Sequence, residues 1–290
     1  MRLETDDRSF LTLVGVALVP YAVLVLAACG LVAAVGISVG EKGVAALTGP
    51  LAPATAALSL VAVGTVTGAV SLRRQVRATE RLERDIASRA LPLPRLVAEA
   101  ARAQGLEDTI DFVDDAEAYS FAYGLRTPRV VVSRGLADRL GLDELQAVLA
   151  HEAYHVKSRD PLKIVITRAM APAMFFLPVL RPLHERYAVG RELAADRRAI
   201  RASGTSALAR ALLNVGGGPP LSDLSAAAAI GGPDMLDVRV AQLETGMEPE
   251  LPHASRLTTV ISATVLAAVT AALVWTAATM AGRGMSDMMM

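Results

Sequence analysis

His151-Glu152-Ala153-Tyr154-His155 is the stretch on which the reading of this chain turns. In an α-helix, residues four apart share a face, so the two imidazoles can reach one cation at roughly 2.0 to 2.1 Å. Glu152 sits on the flank of that face, where its carboxylate can take a proton from water at the metal without being a ligand itself. The segment suits a helix. No Gly or Pro lies between Asp143 and His155, Asp143 is placed to cap the N-terminus with Gln146 three residues on, and Leu145, Leu149, Ala153 and Val156 recur at helical spacing as a buried back.

Two histidines leave a catalytic metal short of one protein ligand, because such a site takes three plus an open position. Arg191-Glu192-Leu193-Ala194-Ala195-Asp196 offers it: Glu192 and Asp196 are again four apart. Glu192 is the candidate third ligand, and Asp196 the candidate acceptor for the outer N–H of a ligating imidazole. By themselves these two carboxylates would sooner suit an exposed, charge-rich helix. With a His, His, Glu set the expected metal is zinc, although cobalt or manganese suits the same donors. The single cysteine, Cys29, lies in an apolar run, so neither a thiolate ligand nor an internal disulfide is expected.

The surroundings are too apolar for an ordinary soluble domain: 53% of residues are hydrophobic and mean hydropathy is +0.41. No charged residue occurs from Ser9 to Gly40, from Gly43 to Leu72, or from Leu257 to Gly282, and each block exceeds the roughly 20 residues that a spanning helix needs. Arg73, Arg74, Arg77, Arg81 and Arg84 follow the second block, which places the chain after Leu72 in the cytoplasm by the positive-inside rule. A net charge of +0 gives nucleic acid no footing.

Between the second block and the metal helix, Leu91-Pro92-Leu93-Pro94 breaks amphipathic helical sequence. Ile110 to Val113 and Arg129 to Ser133 read as strands, with a third over Tyr119, Ser120, Phe121, Ala122 and Tyr123 that could hold an extended peptide by strand addition. After His155, Pro161 ends or redirects the helix. Ala169 to Leu180 is apolar but short of a span, so a buried or membrane-dipping hairpin near 162–182 is expected to bring Glu192 back to the side of His151. Ser203 to Ser255 carries no chemistry that can be read, Arg239 reads as a structural salt bridge before an oxyanion donor, and His184 and His253 read as bystanders.

The chain resembles the integral-membrane gluzincin zinc peptidases. It is similar above all to the BlaR-type antirepressor peptidases, and also to HtpX-like and CAAX prenyl endopeptidases. The likeness rests on Phe121 to Arg129, the His151 to His155 helix, Arg159-Asp160-Pro161-Leu162 and Arg191 to Asp196, with an echo at Asp237-Val238-Arg239-Val240. It implies zinc on His151, His155 and Glu192, Glu152 as general base and Asp196 behind a ligand. Tyr154 departs from the small residue usual there, and the short tail after the last apolar block leaves no room for a penicillin-sensing domain.

The expected protein is a mainly α membrane protein: transmembrane helices plus a cytoplasmic zincin-type α+β peptidase domain with a small sheet. Residues 1–72 would hold two spans, 73–255 the peptidase domain, and 256–290 a third span and tail, in a multi-pass protein of the cell membrane. The expected activity is zinc-dependent endoproteolysis in signalling, with a repressor as substrate and a separate sensor protein as partner. Quality control of membrane proteins, or a non-catalytic zinc clamp between helices, are the alternatives.

Overall fold

A computed structural model describes residues 8–18, 21–22, 25, 40, 52–215, 233–247, 249–251 and 253–287. It divides into two units. One comprises residues up to Phe10, 72–168 and 185–252; the other comprises 11–71, 169–184 and 253–290.

The first unit is built on a four-stranded mixed sheet, β1 Ala90–Leu91, β2 Ile110–Val113, β3 Ser120–Tyr123 and β4 Arg129–Ser133, in the order β1-β2-β4-β3. β2 and β4 run parallel, with Phe112 opposite Val132; β3 pairs antiparallel with β4, with Phe121 opposite Val131. The three strands expected from sequence are therefore present, in segments rich in β-branched and aromatic residues. Gly124 ends β3 at φ +91°, and a Cβ there would fall 2.7 Å from the Thr127 carbonyl oxygen.

Each face of the sheet has its own cover. Ile110, Phe112, Val130 and Val132 pack with Val97, Ala100 and Ala101 of α3 (Arg95–Gln104), Leu136 of α4 (Arg134–Arg139), and Leu145 and Leu149 of α5 (Leu142–Lys157). The opposite face presents Val113, Val131 and the row Tyr119, Phe121 and Tyr123 to Leu82 and Ile86, four residues apart on α2 (Ala52–Ser88). α2 is one continuous helix of 37 residues. From Ala52 onward the second apolar block thus runs into the arginine-rich stretch as one helix, since no Gly or Pro follows Gly68 until Pro92.

α5 begins two residues before the point the sequence suggested. Gly141 is the N-cap, and Glu144, not Gln146, reaches back to accept its N–H at 3.1 Å. Asp143 lies inside the first turn, where its charge suits the helix dipole. At the other end Arg159 adopts the left-handed region, φ +54°, and the chain re-enters a helix at once as α6 (Asp160–Ala173). Pro161 fits the first turn because an N–H there has no helical partner. α7 (Leu180–Ser203), α8 (Thr205–Val215) and α9 (Pro233–Thr245) follow.

In the second unit the described residues include α1 (Arg8–Leu18) and α10 (Arg256–Asp287). Among the described residues one helix, Thr55–Ser88, is long and apolar enough to cross a membrane, while Arg8–Leu18 and Arg256–Ala272 are shorter apolar stretches. Most of the first apolar block, Ser9 to Gly40, lies outside the described residues.

Candidate metal centre

α5 supplies His151, Glu152 and His155, and α7 supplies Glu192 and Asp196. The helical spacing of four puts both imidazoles on one face, in edge-to-face contact with centroids 4.8 Å apart. Glu192 comes from the facing helix: Oε2 lies 3.3 Å from His151 Nε2 and Oε1 3.7 Å from His155 Nε2. Ligand atoms of His151, His155 and Glu192 all lie within 4.8 Å of one another, the grouping among the described residues that could hold a metal ion. His151, Glu152, His155 and Asp196 are buried. His184 and His253 are not part of the group.

The outer nitrogens show how the rings are held. His151 Nδ1 is 2.8 Å from Asp196 Oδ1, and His155 Nδ1 is 2.6 Å from Asp160 Oδ2. A carboxylate can only accept, so each Nδ1 carries a proton, and in the neutral ring each Nε2 presents a lone pair. Those two Nε2 atoms are 3.0 Å apart and face the Glu192 carboxylate. Three acceptors converging out of water repel one another unless a cation lies among them. Four ligands at tetrahedral zinc distances stand about 3.3 Å apart, within the spread of these separations. The donor set fits zinc.

Electrostatics agree. Burial would lower the His151 pKa, but hydrogen bonds with Asp196 and Glu192 raise it to about 9, so without a metal a proton on Nε2 supplies the positive charge this pocket favours. Burial would raise Glu192, yet the charges of Arg191 and His155 and the His151 contact hold it well below its ordinary range. Asp196 is likewise pushed up by burial but brought down to about 2 by Arg239 and His151.

Two residues complete the site that the sequence had not placed in it. Asp160 had been noted only within Arg159-Asp160-Pro161-Leu162; the left-handed turn at Arg159 brings it back to His155. Arg239 grips Asp196 with both arms, Nε to Oδ2 at 2.7 Å and a terminal nitrogen to Oδ1 at 2.7 Å. The salt bridge expected of Arg239 is present, and it stands directly behind a ring nitrogen of the site. β3 packs near α5, but the Tyr119, Phe121 and Tyr123 side chains turn away into the cluster under α2. β3 ends the sheet order and so is an edge strand.

A His, His, Glu cluster on two helices, with a further glutamate beside the first histidine, has the donors to hold a metal ion and a carboxylate placed next to it. Residues 87–215 match the profile of peptidase family M48. It is similar to Protease HtpX of Acinetobacter baumannii, with 34% identity over 79 residues in strains AYE, SDF and AB307-0294. The match covers 27% of this chain and 26% of each relative, so the chain spans about a quarter of the length of the curated relatives it matches. No solved structure gives a significant match. Of the resemblances drawn from the sequence, these comparisons carry the HtpX-like one.

Proposed function

We propose that the protein is a membrane-anchored zinc endopeptidase whose active site faces the cytoplasm. The observation that carries this reading is the convergence of both Nε2 lone pairs and the Glu192 carboxylate, beside a buried Glu152 that takes no part in holding the rings. His151, His155 and Glu192 would hold the ion; Asp196 and Asp160 fix the tautomers of the two rings. When bound, zinc supplies Lewis acidity, acidifying water and polarising a peptide carbonyl. Glu152 removes the proton from the attacking water and returns it to the leaving amine. An extended polypeptide adding to the outer edge of β3 would present its carbonyls beside α5 without regard to sequence.

The apolar helix of α2 and the five arginines after Leu72 support a bilayer anchor with this orientation. Repressor cleavage and turnover of membrane proteins both use this chemistry. The test is Glu152→Gln in the full chain: zinc content should stay near one ion per chain while cleavage of a casein-like protein is lost. Unchanged cleavage with zinc retained would overturn the mechanism. The same variant, used as a trap in cells, should hold a single repressor if the role is signalling and many membrane fragments if it is quality control.

A further inference from the structure

The chain from Ala169 to Leu180 has no charge, is too short to span a bilayer, and turns back on itself between α6 and α7. Between the helices, over 174–179, the backbone is irregular and Pro178 lacks an N–H, while Pro172 sits in the last turn of α6. In water such a turn would hydrate its polar groups. Here it is served by side chains from two apolar helices of the same unit. The Val179 N–H donates to Ser262 Oγ of α10 at 3.0 Å, and the Thr67 hydroxyl of α2 lies 2.8 Å from the Pro172 carbonyl. Met174, Leu177 and Leu180 N–H groups find carbonyls within the hairpin itself. Partners within the protein for these groups are what a hydrocarbon surrounding demands.

The packing is as close as backbone allows. A Cβ on Gly64 would fall 2.3 Å from the Ala173 carbonyl oxygen, and one on Gly68 would fall 2.6 Å from the Ala173 Cβ. Phe176 packs inward with Ala57, Val61, Leu266 and Val269, while Phe175, at the tip, is 55% exposed. Two helices gauge the depth independently. Gly64 lies nine residues before Arg73, about 13 Å along α2 at 1.5 Å per residue. Ser262 lies six residues after Arg256, about 9 Å along α10. Both values fall inside one leaflet of a hydrocarbon core about 30 Å thick. Arg168 and Arg181 flank the uncharged stretch and limit further entry, since their stems reach only as far as the headgroups.

We propose that the α6–α7 turn is a re-entrant wedge, inserted about 10 Å into the acyl chains of one leaflet with Phe175 against lipid. This rests on the membrane-anchored reading, and carbonate extraction of the full chain tests that reading separately. The wedge is tested with Cys29→Ser/Phe175→Cys, in which residue 175 carries the only thiol, spin-labelled in phosphatidylcholine vesicles. Oxygen accessibility should exceed that of a water-soluble nickel chelate several-fold, relative to a label at Glu107→Cys on the peptidase unit. Adding Gly68→Leu should swing the ratio towards water by dislodging the hairpin. A water-like ratio at 175 in extraction-resistant protein, low access to both probes, or labelling by an impermeant maleimide only from the non-cytoplasmic side would each overturn the wedge.

Discussion

Replacing Arg239 with methionine removes two charge-assisted hydrogen bonds of 2.7 Å from a carboxylate that is 0% exposed. Breaking one side of a buried ion pair costs about 3 to 5 kcal/mol, and the lower end applies because Asp196 keeps its contact with His151 at 2.8 Å. The effect reaches the metal through one bond, since the orientation of Asp196 sets that of the ring. Loss of such an outer partner costs roughly 10- to 100-fold in metal affinity, so Arg239→Met is expected to weaken zinc about 10-fold and Asp196→Asn by more. Arg239→Lys should recover part of the loss, because an ammonium can reach one oxygen but not both. Zinc affinity by chelator competition gives the first measurement, and thermal unfolding by far-UV circular dichroism the second. The decisive comparison is with the double variant. If the three residues form a chain, Asp196→Asn with Arg239→Met should bind zinc little worse than Asp196→Asn alone, a coupling of about 1.4 kcal/mol, the whole of the 10-fold loss. Losses that simply add would refute the chain of contact.

Other outcomes follow from the same geometry. Glu192→Ala should strip zinc from the protein without unfolding α7, measured by metal content and circular dichroism; retained affinity would place the third ligand elsewhere. Asp160→Asn should weaken zinc by roughly 10-fold or more through His155, and an unchanged affinity would show that its 2.6 Å contact is dispensable. Away from the metal, Asp111 accepts from Arg129 and from the Tyr123 hydroxyl. Burial would raise its pKa, but these partners bring it below the ordinary 3.8. A lowered carboxyl stabilises the fold above its unfolded value, and that contribution is lost as pH falls through the folded one. Asp111→Asn should therefore lower the melting temperature at neutral pH, with the gap from wild type closing in strong acid. A gap independent of pH would mean that charge is not what Asp111 contributes.

How far the sequence carried the reading depended on whether a feature was local. The sheet strands were legible because Ile110 to Val113 and Arg129 to Ser133 alternate or are β-branched throughout, and the metal helix because its spacing of four is fixed by helix geometry. The N-terminus of α5 was misjudged by two residues because Gly141 and Asp143 both suit a cap, and the choice falls to Glu144, which also meets Arg210 at 3.0 Å. The continuity of α2 was missed because charge changes abruptly at Arg73 while helix propensity does not.

The residues not foreseen in the site, Asp160 and the clamping role of Arg239, follow from what each imidazole needs. A ring that offers Nε2 to a metal must give its Nδ1 proton to an acceptor, and burial makes a carboxylate the best one. The sequence showed one such acceptor, Asp196, for two rings. A search for a second within reach of His155 leads to Asp160, five residues on, which is useful only if the helix breaks and turns back between them. Arg159 in the left-handed region supplies that break. Asp196 has the opposite problem. It is fully buried and far in sequence from His151, so its charge must be balanced from another helix, and α9 brings Arg239 to it. The two rings are thus held by different means, one by a local turn and one by a long-range ion pair, and loosening α9 should loosen His151 while leaving His155 in place.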